Sequence, residues 1–147
     1  MKRKSLDGDV CAVARSLDII GDWWSLLIIR DALSGLRRFG EFQRSLGAAK
    51  NILTTRLKAL VGEGILETAP ASDGSAYQEY LITEKGRALL PVLVALGQWG
   101  SEYLFEPEEV RSVPVDARKG RPLAKLAMRS QDGRALDLDD VVVTRLA

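Results

Sequence analysis

Between about Trp23 and Leu33, the residues Trp24, Leu26, Leu27, Ile28 and Ile29 would place apolar side chains on nearly every side of a helix. A helix of that kind belongs at the centre of a core, so the rest of the chain must supply elements to wrap it. Short amphipathic segments surround it in sequence. Val10, Val13, Leu17 and Ile20 form a narrow helical stripe ended by Gly21, and Phe39, Phe42 and Leu46 share one face of a segment closed by Gly47. From about Asn51 to Glu63, Leu53, Leu57 and Leu60 lie on one side, with Gly64 after the end.

From Ile65 the period changes. Leu66 to Ala69 and Tyr77 to Ile82 read as two strands around a loop with an Asp73-Gly74 turn signal, which predicts a hairpin. Thr83 then caps a long helix with Leu89, Leu93, Leu96, Gly100 and Tyr103 at helical spacing, and Pro91 predicts a kink or a restart. A composition shift after Phe105 divides the chain into 1–105 and 106–147. The second part holds short segments at Val113-Pro114-Val115, Leu123 to Met128 and Val141-Val142-Val143, with a turn at Asp132-Gly133, and is expected to be a small β-rich extension. The predicted fold is mainly α with a β-hairpin wing, a winged helix-turn-helix, plus that extension.

With 147 residues, 46% hydrophobic and 28% charged, the chain can bury one ordinary core. Histidine is absent, which removes the commonest general base and every imidazole zinc site. Cys11 is the only cysteine, so an internal disulfide is excluded and a reducing compartment is favoured. Asp137, Asp139 and Asp140 alternate with Leu138 in a turn-like segment, and Cys11 has no histidine to activate it, so no enzyme, metal or cofactor is expected. The basic start at Met1 runs into Asp7-Gly8-Asp9 where an export signal would need an apolar run. The longest uncharged stretch, Ala88 to Ser101, is too short to span a bilayer. A cytoplasmic protein with no membrane partner is the expectation.

The total charge is only +1, yet from Leu36 to Leu60 six bases face the single acid Glu41, a local charge of +5. Positive charge concentrated on one helical hairpin is the footprint expected for gripping phosphates of double-stranded DNA. On the helix after the turn, Asn51, Thr55 and Lys58 point away from the leucine stripe, with Ile52 and Thr54 beside them. These five are the base-reading candidates: Asn can bond adenine, Thr and Ile can touch thymine methyls, and Lys can reach guanine. Arg37, Arg38, Arg44, Lys50 and Arg56 are candidates for phosphate contacts. Three structural alternatives stand beside these roles: Asn51 as the cap of its helix, Ile52 packed against a neighbouring helix, and Arg56 as a structural partner at the edge of the core face.

Cys11-Ala12-Val13-Ala14-Arg15, the run from Gly21 to Arg30, Arg38-Phe39-Gly40-Glu41-Phe42, Asn51 to Leu57, Gly64-Ile65-Leu66, Glu79 to Arg87 and Leu96 to Gly100 resemble, in order, the motifs of the HxlR-type regulators, a MarR-like winged helix-turn-helix family. The resemblance covers about residues 10 to 104. It implies a bacterial transcription regulator, by analogy a repressor, acting as a homodimer on a pseudo-palindromic operator through two recognition helices. The first and last helices would form the interface, using Val10, Val13, Leu17, Leu93, Leu96, Trp99 and Tyr103. It also implies an oxidant-sensing role for Cys11, which matches the position of a sensor cysteine in some members. A small-molecule effector walled by Trp23, Trp24 and Trp99 is the other candidate input. The wing departs from the family pattern: Ser72 to Ala76 carries no base, where a family wing usually has arginine, so it should add little in a minor groove. An uncharged wing keeps a second reading open, a winged-helix protein-interaction module that does not read DNA.

Overall fold

The computed structural model describes residues 4–146, and the basic start, Met1 to Arg3, read above against an export signal, lies outside the described residues. The chain forms two compact units, one reaching to Pro91 and one starting at Val92. In the first, α1 (Ala12–Ile20), α2 (Trp23–Leu33), α3 (Phe39–Leu46) and α4 (Lys50–Gly62) precede the strands β1 (Leu66–Pro70) and β2 (Gln78–Ile82) and the single turn α5 (Glu84–Arg87). The helix α6 (Leu90–Tyr103) carries the chain into the second unit, which holds β3 (Met128–Arg129), β4 (Ala135–Leu136) and a short 3-10 turn at Leu138–Asp140.

Helix α2 is central to the first unit, touching α3, α4 and β2. Its start is fixed by Asp22, whose carboxylate accepts hydrogen bonds from the amides of Trp24 (3.0 Å) and Ser25 (2.9 Å) and from the Ser25 hydroxyl. An aspartate directly before an apolar run is a sequence signal for this cap. Ile28 and Ile29 of α2 join Phe42, Leu53, Leu57, Leu60 and Leu66 as fully buried side chains. The helix is less enclosed than its composition suggests: Trp24, Leu26 and Leu27 are half-buried and Trp23 is 86% exposed. The buried stripe is carried by the residues one turn apart that meet α3 and α4, and Trp23 lies at the open end of the helix.

Two helix starts differ from expectation. The helix expected from Val10 starts only at Ala12, with Cys11 as its N-cap, because the Asp9 carboxylate takes the Cys11 amide (2.8 Å) and holds the chain in a turn. Val10 therefore precedes the helix. In α4 the N-cap is Ala49 and Asn51 is already the second helical residue, so Asn51 does not cap it. Gly47, in the left-handed conformation at φ 64°, reverses the chain so sharply after α3 that only Ala48 and Ala49 separate it from α4. Residues α3 through α4 thus form a helix-turn-helix.

The hairpin pairs β1 with β2 antiparallel, Leu66 facing Ile82 and Pro70 facing Gln78. Its loop is closed by the Ala71 amide on the Tyr77 carbonyl (3.0 Å) and by buried Glu79, which accepts the Ser72 amide. The Tyr80 amide donates to the Arg37 carbonyl (2.7 Å), and Phe42 meets the Tyr80 ring edge-on at 6.4 Å, so the wing is tied to the start of α3. Thr83 caps α5 by accepting the Gly86 amide, and the chain restarts as α6 at Leu90, one residue before Pro91.

In the second unit the segment after Phe105 folds back along α6. Gln98 donates through Nε2 to the Ala124 carbonyl (3.0 Å) and accepts the Leu126 amide at Oε1 (2.8 Å), while Arg111 bonds Ser101 and the Glu106 carbonyl. These bonds explain why the units divide near the start of α6 although composition shifts near Phe105. The extension holds less β-structure than expected: one two-residue hairpin around Gly133 and an isolated bridge from Val115 to Pro122. Val141 to Val143 form no strand. Pro107, Pro114 and Pro122 each remove a ladder donor from an already short segment. No helix among the described residues is long and apolar enough to cross a membrane.

Candidate nucleic-acid interface

Leu53, Leu57 and Leu60 bury one face of α4, which leaves Lys50, Asn51, Ile52, Thr54, Thr55 and Lys58 exposed on the others. All the expected base-reading residues are therefore on solvent, in the first two to three turns of the second helix of the helix-turn-helix. Ile52 is 38% exposed, an apolar side chain with no core role. The Thr54 and Thr55 hydroxyls donate back to the Lys50 and Asn51 carbonyls, at 2.8 Å each. With those protons committed, each threonine offers a groove its methyl group and an acceptor lone pair.

The phosphate candidates divide into groups. Arg37, Arg44 and Lys50 are exposed. Arg56 pairs with Asp22 at 3.3 Å, which ties α4 to the cap of α2 and favours the structural alternative for this residue. Burial pushes the Asp22 carboxyl up, but the bonds from Ser25 and the charge of Arg56 outweigh it and leave the group below the usual aspartate value. Arg38 pairs with Asp73 in the wing at 2.6 Å and lies 5.9 Å above the Tyr77 ring. The Ser75 amide and then the Arg38 guanidinium hold the Asp73 carboxyl far below its ordinary range, and the same pairing raises Arg38. Glu41, the one acid of the basic segment, is occupied by the Arg37 and Arg38 amides, which lower it. It fastens the start of α3, with its charge turned onto backbone donors.

Sequence reasoning missed Tyr77, 70% exposed on the wing beside Arg38. Its aromatic ring next to a turn was a signal for a surface role, but the partner arginine lies too far away in sequence for spacing to reveal the pair. Elsewhere, the Cys11 thiol is exposed. Val10, Val13 and Leu17 are exposed near the amino end, and so are Leu96, Trp99 and Tyr103 on α6, with Leu93 half-buried. The Trp99 and Tyr103 ring centroids lie 5.8 Å apart with the planes tilted by 47°. Three clefts among the described residues, of about 540, 380 and 650 Å³, are lined by residues other than Trp23, Trp24 and Trp99. Among the described residues, no group of acids and cysteine is placed to hold a metal ion.

A helix-turn-helix whose second helix shows a polar, basic face, followed by a two-stranded hairpin tied to its first helix, defines a winged helix-turn-helix domain. The family model of the HxlR-like helix-turn-helix matches residues 19–108, and the chain belongs to that family. An uncharacterised HTH-type transcriptional regulator of Mycobacterium tuberculosis is 44% identical over 66% of this chain and 61% of its own, so the chain spans about three-fifths of that relative's length. Among solved structures, the candidate transcription factor PA1607 is 51% identical over 97% of this chain and 99% of that one, with a TM-score of 0.91. The redox regulator HypR in its oxidised form is 31% identical over 63% of this chain and 96% of that one, with a TM-score of 0.57.

Proposed function

We propose that this protein is a sequence-specific transcriptional regulator that binds double-stranded DNA in the cytoplasm as a homodimer, with α4 of each copy in the major groove. The observation that carries this reading is the exposed face of α4, where Lys50, Asn51, Ile52, Thr55 and Lys58 stand together while the leucines opposite are buried. Residues at the start of a recognition helix meet base edges, which suits Asn51 and Ile52. Arg37, Arg44 and Lys50 serve the phosphates.

Dimerisation through α1 and α6 is supported by Val13, Leu96, Trp99 and Tyr103, each half or more exposed. Repression is the simpler consequence of two recognition helices occupying an operator. An oxidant acting at the exposed Cys11 thiol is the input supported by the likeness to a redox regulator. No catalytic role or cofactor is part of this reading.

The test is fluorescence anisotropy on DNA upstream of the protein's own gene and of the adjacent gene, at two salt concentrations, with reduced and diamide-treated protein. Salt-sensitive binding tighter than to a random-sequence duplex supports the regulator. Loss of binding on oxidation that is absent in Cys11→Ser assigns the switch. Failure to bind in either redox state favours the interaction module.

A further inference from the structure

Arg38 and Arg44 line a cleft of about 650 Å³ between the start of α3 and the wing, closed on the wing side by Tyr77 and Gln78. Glu41 also lines the cleft, with its Oε1 engaged by the Arg37 and Arg38 amides. The two guanidinium groups beside an exposed phenol suit a DNA phosphodiester, since arginine forks match phosphate oxygens and a tyrosine hydroxyl can add a third donor. In the free protein one of these arginines is already taken. The Asp73 carboxylate, at the tip of the wing, lies 2.6 Å from Arg38 Nη2, while the Arg38 side chain keeps 33% of its exposure and Asp73 keeps 55%. The pair is therefore open to solvent and to exchange.

We infer that Asp73 is an internal stand-in for a DNA phosphate, occupying Arg38 in the free protein and yielding it when the duplex backbone enters the cleft. This rests on the DNA-binding reading above and adds to it a residue that sets affinity by competition. A carboxylate and a phosphate both present two oxygens to a guanidinium, so both cannot hold the same fork. The wing, which carries no base of its own between Ser72 and Ala76, takes part in DNA binding through the arginine it holds. Binding then exchanges one anion for another at Arg38, and the net number of counterions released from DNA is lower by about one than the arginine alone would give.

Asp73 also accepts the Ser75 amide at 2.9 Å, which shapes the turn, so the test needs a substitution that keeps this bond and removes the charge. Asp73→Asn does so, and Asp73→Ser is a second variant able to cap the same amide. Each is titrated against a fluorescein-labelled mixed-sequence 20-base-pair duplex over a range of salt concentrations, alone and in an Arg38→Ala background, with a thermal melt to verify folding. The expected result is roughly two- to fivefold tighter binding at low salt, the range of an exposed ion pair, with a log–log salt slope steeper by about 0.9. Both changes should vanish in the Arg38→Ala background. Binding by the parent protein with no gain, or a loss, in the folded Asp73 variants overturns the inference and leaves the DNA reading standing. No binding by the parent or the variants overturns both.

Discussion

Lys58 stands on the open side of α4 with no acidic partner in reach of an ion pair among the described residues, so its charge is available to a duplex. Lys58→Ala is expected to weaken DNA binding and to flatten the salt slope by about 0.9, read by anisotropy at several salt concentrations. Asn51→Ala should behave differently, costing about 1–3 kcal/mol on a preferred site and much less on random DNA, which a competition assay measures. Arg56→Ala should leave DNA affinity nearly unchanged and lower thermal stability by less than about 1 kcal/mol, because its guanidinium is spent on Asp22 and is partly exposed. The groove face of α4 follows from the leucine period alone, whereas the assignment of Asn51 depended on the helix start, which a two-residue turn moved forward to Lys50. The Arg38 to Asp73 contact joins residues distant in sequence and has no local signature.

At the scale of elements, the helix starts are the points most exposed to acid. Asp22 holds α2, and its carboxyl lies below the ordinary value of 3.8 in the folded protein. A depressed carboxylate stabilises the fold above its unfolded pKa, and that stabilisation is lost as the pH falls through the lower folded value. Asp22→Ala should therefore cost about 0.5–2 kcal/mol at neutral pH, and the gap between parent and variant should close below about pH 4 in urea titrations. Gly86 is constrained by space: a Cβ there would stand 2.5 Å from the Ile65 carbonyl and collide with Ile82 Cδ1. Gly86→Ala is expected to destabilise by about 1–3 kcal/mol, measured by thermal melting, since α5 would be pushed off the end of the hairpin. Helices and hairpin were readable because apolar period and turn residues agree along residues 10 to 104. The extension gave no such agreement. Its apolar segments are short and interrupted by proline, so its course depends on bonds to α6 that no period announces.

For the whole molecule, the expected working form is a pair of chains. Trp99→Lys and Leu96→Lys each place a charge on an exposed apolar face of α6. Size-exclusion chromatography with light scattering should show the parent as a dimer and each variant shifted to monomer, with DNA affinity falling as the second recognition helix is lost. A parent that is monomeric at micromolar concentration would remove the homodimer from the reading.

The way the extension is fastened bears on how such a chain can diverge. Gln98 grips the segment at Ala124 and Leu126 through main-chain groups alone, as a neighbouring strand would. Any residue other than proline at position 126 still supplies the amide, and any residue at all at position 124 supplies the carbonyl. Mutation can therefore rewrite the side chains at 124 and 126 generation after generation while Gln98 keeps that stretch aligned on the helix, with, among the described residues, only the exposed Lys125–Glu102 pair (3.6 Å) depending on a side chain of the stretch itself.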